Sequence, residues 1–132
     1  TDNRAAPAAA SGAATDEVTA LEAAARANPE SVEVWQSLGA ALFDASRFAE
    51  AAEAFEKAAA LAPETAVLWS ALGEARVMAS ERDPMPAAAL EAFRKAAAID
   101  PKDPRTRYFL AVKRDIDGDH AGAIGDWLAL LA

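Results

Sequence analysis

The sequence predicts an all-α fold built as a stack of repeated helix pairs, and three observations predict it. Alanine, the strongest helix former, dominates a 53% hydrophobic content, with few β-branched residues and little glycine or proline inside the long runs. Bulky and tiny side chains recur at a fixed interval: Trp69, Leu72 and Gly73 follow Trp35, Leu38 and Gly39 by 34 positions each. Pro29, Pro63 and Pro101 stand where helices should end, because proline lacks the N–H and restricts the residue before it. At 132 residues the chain is the size of one domain, with enough apolar content for a continuous core.

Residues 1–14, "TDNRAAPAAASGAA", are small and Pro/Ser/Gly-containing without helical periodicity, and read as a mobile linker or chain end. Counting back 34 from Phe55 and Pro63 reaches Leu21 and Pro29, so residues 15–27 read as an orphan second helix capping the near end. The first pair spans about 31–60. Trp35, Leu38, Gly39 and Leu42 lie at i, i+3, i+4 and i+7 on one helical face, and Ala51, Phe55 and Ala58 do the same on the next helix. The second pair spans about 65–98. Phe93 follows Phe55, and Pro101 follows Pro63, by 38 rather than 34, which places four extra residues between its helices, in "ASERDPMPA". Such a loop suits either a binding contribution or a tolerated surface insertion. The third pair spans about 104–131, opened by Asp103 as N-cap and Pro104 in the first turn, with Trp127 standing 34 after Phe93. In its turn, Gly118 should supply a positive φ and Asp119 the next cap.

This spacing resembles the tetratricopeptide repeat, a helix-turn-helix family with Trp, Leu-Gly, Ala, Phe, Ala and Pro at set intervals. The resemblance covers residues 15–132, strongest over "WQSLGAALF" and "AAEAFEKAAALAP" and looser in the third unit, where Ala111 replaces the glycine and Arg107 the tryptophan. It implies a right-handed α-α superhelix whose first helices line a concave wall. On that wall the candidate groove residues are Gln36, Ala40, Phe43 and Asp44; then Ser70, Glu74, Val77 and Met78; then Arg105, Tyr108, Val112 and Asp115. This mixed, largely apolar set suits an amphipathic helix, and packing between repeats is an equal alternative for any one of them. The carboxylate clamp by which some members grip an extended C-terminal tail is not matched. Its places hold Gln36, Ala40, Ala71, Arg105 and Phe109, of which only Arg105 fits.

Three stretches also resemble a narrower group, the apocytochrome c chaperones of bacterial cytochrome c maturation (CcmI/CycH). They are "LGEARVMASERDPMPAAALEAFRKAAAIDPKDPR", "DPRTRYFLAV" and "GDHAGAIGDWLALLA". That resemblance implies a periplasmic domain of an inner-membrane-anchored protein. It would bind the C-terminal helix of apocytochrome c and present it to haem ligation components, with neither enzymatic activity nor a cofactor of its own. The rival reading is a scaffold or adaptor joining folded partners.

Charge and composition exclude other classes. A net charge of -8 repels a phosphate backbone, so nucleic acid is excluded and basic ligands are favoured. With no cysteine there is no thiolate chemistry or Cys-x-x-Cys-His haem site, and compartment stays open on that ground. No run of about 18 uncharged apolar residues spans a bilayer, and no basic-apolar leader precedes Thr1, so this fragment is expected to make no membrane contact. "DIDGDH" places Asp115, Asp117 and Asp119 around Gly118 but lacks the glycine and glutamate spacing of a calcium loop. His120 occupies a place where the repeat family packs an aromatic between helices, and lacks any nucleophile or base pattern; haem ligation by His120 or Met78 has as little support. Trp35, Trp69 and Trp127 recur at repeat spacing and read as core wedges. Leu130 and Leu131 on the last helix should leave an apolar flank that leaves room for self-association.

Overall fold

Short caps and turns divide the chain into α1 (Asp2–Ala27), α2 (Val32–Asp44), α3 (Phe48–Leu61), α4 (Ala66–Ala79), α5 (Ala87–Ile99), α6 (Pro104–Ile116) and α7 (His120–Leu131). The computed structural model describes the backbone from Asp2 and the side chains from Gly12 to Ala132, and among the described residues no strand occurs. Helices α2–α3, α4–α5 and α6–α7 are the predicted pairs, each packed against the next, with α1 against α2. α1 is longer than the orphan helix expected at 15–27, as its alanine-rich sequence allows. The linker expectation for residues 1–14 falls mostly outside the residues whose side chains are described. The packed part of α1 is its later half, where Val18 and Ala25 are buried.

Each start has a chemical reason. Ser31 accepts a hydrogen bond from the Val34 N–H at 3.3 Å and caps α2. Asp103 caps α6, accepting from the Thr106 N–H at 3.0 Å and its hydroxyl at 2.7 Å, with Pro104 in the first turn. Asp119 caps α7 through the Gly122 N–H at 2.9 Å, as the sequence indicates. The turn after α2 passes through Ser46 at φ 61°, and the turn after α6 through Gly118 at φ 97°. In both, an N–H reaches back five residues, from Arg47 to the Leu42 carbonyl and from Asp119 to the Arg114 carbonyl, so the two turns are one device with different residues.

Glycine lets the paired helices close. A methyl group at Gly39 would stand 2.8 Å from the Phe55 ring, and one at Gly73 would stand 2.7 Å from Phe93. In the third unit the methyl of Ala111 is present and fully buried. There the larger ring of Trp127 is only half-buried and donates its indole N–H to the Tyr108 carbonyl at 3.3 Å. Trp35 and Trp69 are half-buried as well and serve a different purpose. Each donates its N–H to the proline carbonyl six residues earlier, Pro29 and Pro63, at 2.8 Å, while Lys57 and Lys95 lie over the ring faces. Trp35 and Trp69 thus pack on the core, as their repeat spacing indicates, and also staple their helices to the turn before.

The four-residue insertion is not a loose loop. Ser80 Oγ accepts from the Asp83 N–H and Asp83 Oδ1 from the Met85 N–H, and this turn drives Met85 into a cluster with Ala89 and Phe93. Val77, Phe109, Leu110 and Val112 pack on the same cluster, so the insertion fills the junction between the second and third pairs. Phe109 stacks on Phe93 with centroids 4.8 Å apart. At the far end, the outer face of α7 exposes Ile124, Leu128 and Leu131, the last at 84%, whereas Leu130 is half-buried.

Candidate functional site: the concave face

Positions that repeat every 34 or 38 residues on α2, α4 and α6 come to one side of the stack. A cavity of about 190 Å³ shows this directly, being lined by Ala40, Phe43 and Asp44 of α2, Ala71 and Glu74 of α4, and Arg105 of α6, with Phe55 behind. Its one cation is committed: the Arg105 guanidinium pairs with Glu74 at 2.9 Å and donates to Ser70 Oγ at 3.3 Å and toward the Val67 carbonyl at 3.5 Å. Asp44 is exposed and makes no ion pair among the described residues.

The predicted groove residues divide by exposure. Gln36, Ala40, Asp44, Met78 and Tyr108 are exposed, and Glu74, Arg105 and Asp115 are half-buried. Ser70 lies at the wall but is fully buried beneath Arg105, its hydroxyl donating to the Val67 carbonyl at 3.2 Å. A partner would therefore meet Arg105 there rather than Ser70. Phe43, Val77 and Val112 are half-buried because they also pack inside the stack, Phe43 edge-on to Phe48 and the other two on the Met85 cluster. Val67 and Ile116, 47% and 44% exposed, belong to the same face and escaped the sequence reading. The repeat arithmetic contains them, since Ile116 is 38 after Met78 and Val67 is 38 before Arg105.

Beneath the wall, the α4–α6 junction is polar. Ser70, Asp103 and Thr106 are all buried. Burial opposes charge on Asp103, but the hydrogen bonds from Thr106, the nearby Ser70 hydroxyl and the positive Arg105 outweigh it and hold its carboxyl below the usual range.

Asp115, Asp117 and Asp119 do not converge. They pair separately with His120 at 2.5 Å, Lys113 at 2.8 Å and Arg114 at 2.6 Å, and Arg114 also bridges to Asp126 at 2.8 Å. His120 is therefore an exposed partner of Asp115 and does not pack between helices. Its counterpart 72 residues earlier, Phe48, makes that contact with Phe43, the counterpart of Asp115. Among the described residues no three His, Asp or Glu side chains gather as metal ligands, and no helix is long and apolar enough to cross a membrane.

Stacked helix pairs, the repeat interval and a wall of first helices define a tetratricopeptide-repeat superhelix, and residues 32–65 match the tetratricopeptide repeat family model. The particular likeness is to MamA. Two crystal structures of MamA superpose with TM-scores of 0.71 and 0.74 at 26% identity, over 86% and 91% of this chain and 64% and 63% of theirs. MamA from residue 41 to its end, from Desulfovibrio magneticus RS-1, gives 0.73 at 22% identity over 91% of this chain and 66% of that one. The chain thus spans a little under two thirds of the first two MamA chains. No curated protein matches it.

Proposed function

We propose that this domain is a protein-interaction module that holds an amphipathic helix of a partner against its concave face. One observation carries the reading: Val67, Met78, Tyr108 and Ile116 are all between 44% and 48% exposed on the same face. Solvated apolar side chains gathered beside a cavity, in a protein otherwise rich in surface charge, gain free energy when a helix removes them from water. Polar neighbours such as Asp44 and the Arg105–Glu74 pair then fix orientation and on-rate more than affinity.

The resemblance of "DPRTRYFLAV" and "GDHAGAIGDWLALLA" to the cytochrome c maturation chaperones narrows the partner to the C-terminal helix of apocytochrome c. The domain would keep that apoprotein open in the periplasm for haem attachment by other components, and would itself be neither enzyme nor haem carrier. Titrating a labelled peptide of that helix tests this. Saturable binding, weakened about tenfold or more by Tyr108→Ala, is the expected outcome for an aromatic anchor.

A second reading, a scaffold joining folded partners, is favoured by the exposed Ile124, Leu128 and Leu131 of α7. It predicts that the same titration shows no saturable binding, and that substitutions on α7 rather than at Tyr108 impair assembly.

A further inference from the structure

We infer that the partner helix is polarised along its length, lying with a basic end over α2 and an apolar end over α6; this deepens the helix-binding reading above and rests on it. Two repeat-equivalent columns change character in the same direction along the wall; a third, Phe43–Val77–Asp115, runs the other way, but there Phe43 is packed on Phe48 and Asp115 is engaged by His120. Asp44 on α2 corresponds to Met78 on α4 and Ile116 on α6, and Gln36 corresponds to Tyr108. The exposed positions of the α2 end are thus Gln36, Ala40 and Asp44, with one acid and no large apolar side chain, while the α6 end presents Tyr108 and Ile116 at 48% and 44% exposure.

Pairing sharpens the gradient. Arg105, the cation of the wall, is neutralised by Glu74 at 2.9 Å, and Asp115 at the α6 end is engaged by His120. Asp44 makes no ion pair among the described residues, on a chain of net charge -8. It also gains nothing from its own helix, because it sits in the last turn of α2, where the helix dipole disfavours an acid. A lysine or arginine over α2 would meet that carboxylate, whereas one over Tyr108 and Ile116 would be desolvated without a partner. Successive first helices about 10 Å apart put the two ends of the wall roughly 20 Å from each other, the length of about 13 helical residues. A single short helix can therefore sample both ends.

The test uses two synthetic helical peptides of identical composition, about 14 residues long. In one, lysines fill the first turn and leucines the rest; in the other, lysines and leucines are interspersed along one helix face. Fluorescence anisotropy against the intact chain should show the segregated peptide binding on the order of tenfold tighter. Asp44→Asn should shrink that preference. Asp44→Lys should abolish it and transfer binding to a peptide with glutamates in place of the lysines. Equal binding of the two isomers, or a preference indifferent to both Asp44 variants, overturns the polarity while leaving the helix-binding reading intact. Saturable binding of neither peptide overturns both.

Discussion

Gly73 and Gly125 are both helical glycines, yet the packing around them gives them opposite roles. At Gly73 an added methyl would meet the Phe93 ring at 2.7 Å, and Phe93 is itself fully buried and cannot retreat. At Gly125 it would meet nothing within 4 Å. Overpacking costs about 1–3 kcal/mol and the helix-propensity gain returns about 1 kcal/mol, so Gly73→Ala should lose about 1 kcal/mol. Gly125→Ala keeps only the gain and should be more stable by up to about 1 kcal/mol. Urea midpoints at unchanged slope measure both, and a Gly73→Ala variant as stable as the parent would show that the ring has somewhere to go. The importance of Gly73 was legible in the sequence through its spacing from Gly39 and Phe93. The part played by the tryptophans was not: the interval shows that Trp35 and Trp69 are equivalent, but it does not show that their N–H groups reach back to Pro29 and Pro63.

At the scale of elements, the insertion between α4 and α5 separates pattern from packing. Length arithmetic locates four extra residues there but gives no direction for any side chain. The structure turns Met85 inward to 8% exposure against Ala89 and Phe93, while Glu81, Arg82, Asp83 and Pro84 stay exposed. Met85→Ala should therefore cost about 2–4 kcal/mol, and Met85→Leu, close in volume, less than about 1.5 kcal/mol. Arg82→Ala, three residues away, should stay within about 0.5 kcal/mol of the parent. Thermal or denaturant unfolding of the three variants checks this; a harmless Met85→Ala would mean that the loop is the dispensable surface insertion that its polarity suggests. The signal available in sequence was a lone methionine between two prolines in a charged stretch, and that signal gains meaning only when Phe109 and Val112, more than twenty residues on, are known to be its neighbours.

Across the whole molecule, stability should be graded, because each pair contacts chiefly the pairs on either side. α3 and α4 are joined by an extensive apolar seam, whereas α6 is packed more lightly on α5 and meets α4 across the buried polar group of Ser70, Asp103 and Thr106. α7 packs on α6 and leaves Leu128 61% exposed. Native-state hydrogen exchange should accordingly give α6 and α7 lower opening free energies than α3 and α4, which should exchange near the global value. Uniform protection from α2 to α7 would show instead that the Met85 cluster couples the third pair fully to the second. Such a gradient bears on function, since Tyr108 and Ile116 stand on the less firmly held end of the concave wall.

The sequence by itself determined the helix pairs, their order, the caps at Asp103 and Asp119 and the left-handed turn at Gly118. These follow from local chemistry and from a repeat interval that survives in one dimension. It also determined most of the concave face, because residues at equal repeat positions must emerge on the same side of a regular stack. What only the tertiary structure decided was which of those residues remain in contact with solvent. Ser70 disappears beneath Arg105, His120 leaves the interior for Asp115, Met85 enters it, and Val67 and Ile116 join the wall. Ser70 and Met85 depend on side chains arriving from the third pair, and His120 on how the turn between α6 and α7 closes, so burial is a property of these meetings rather than of either sequence segment.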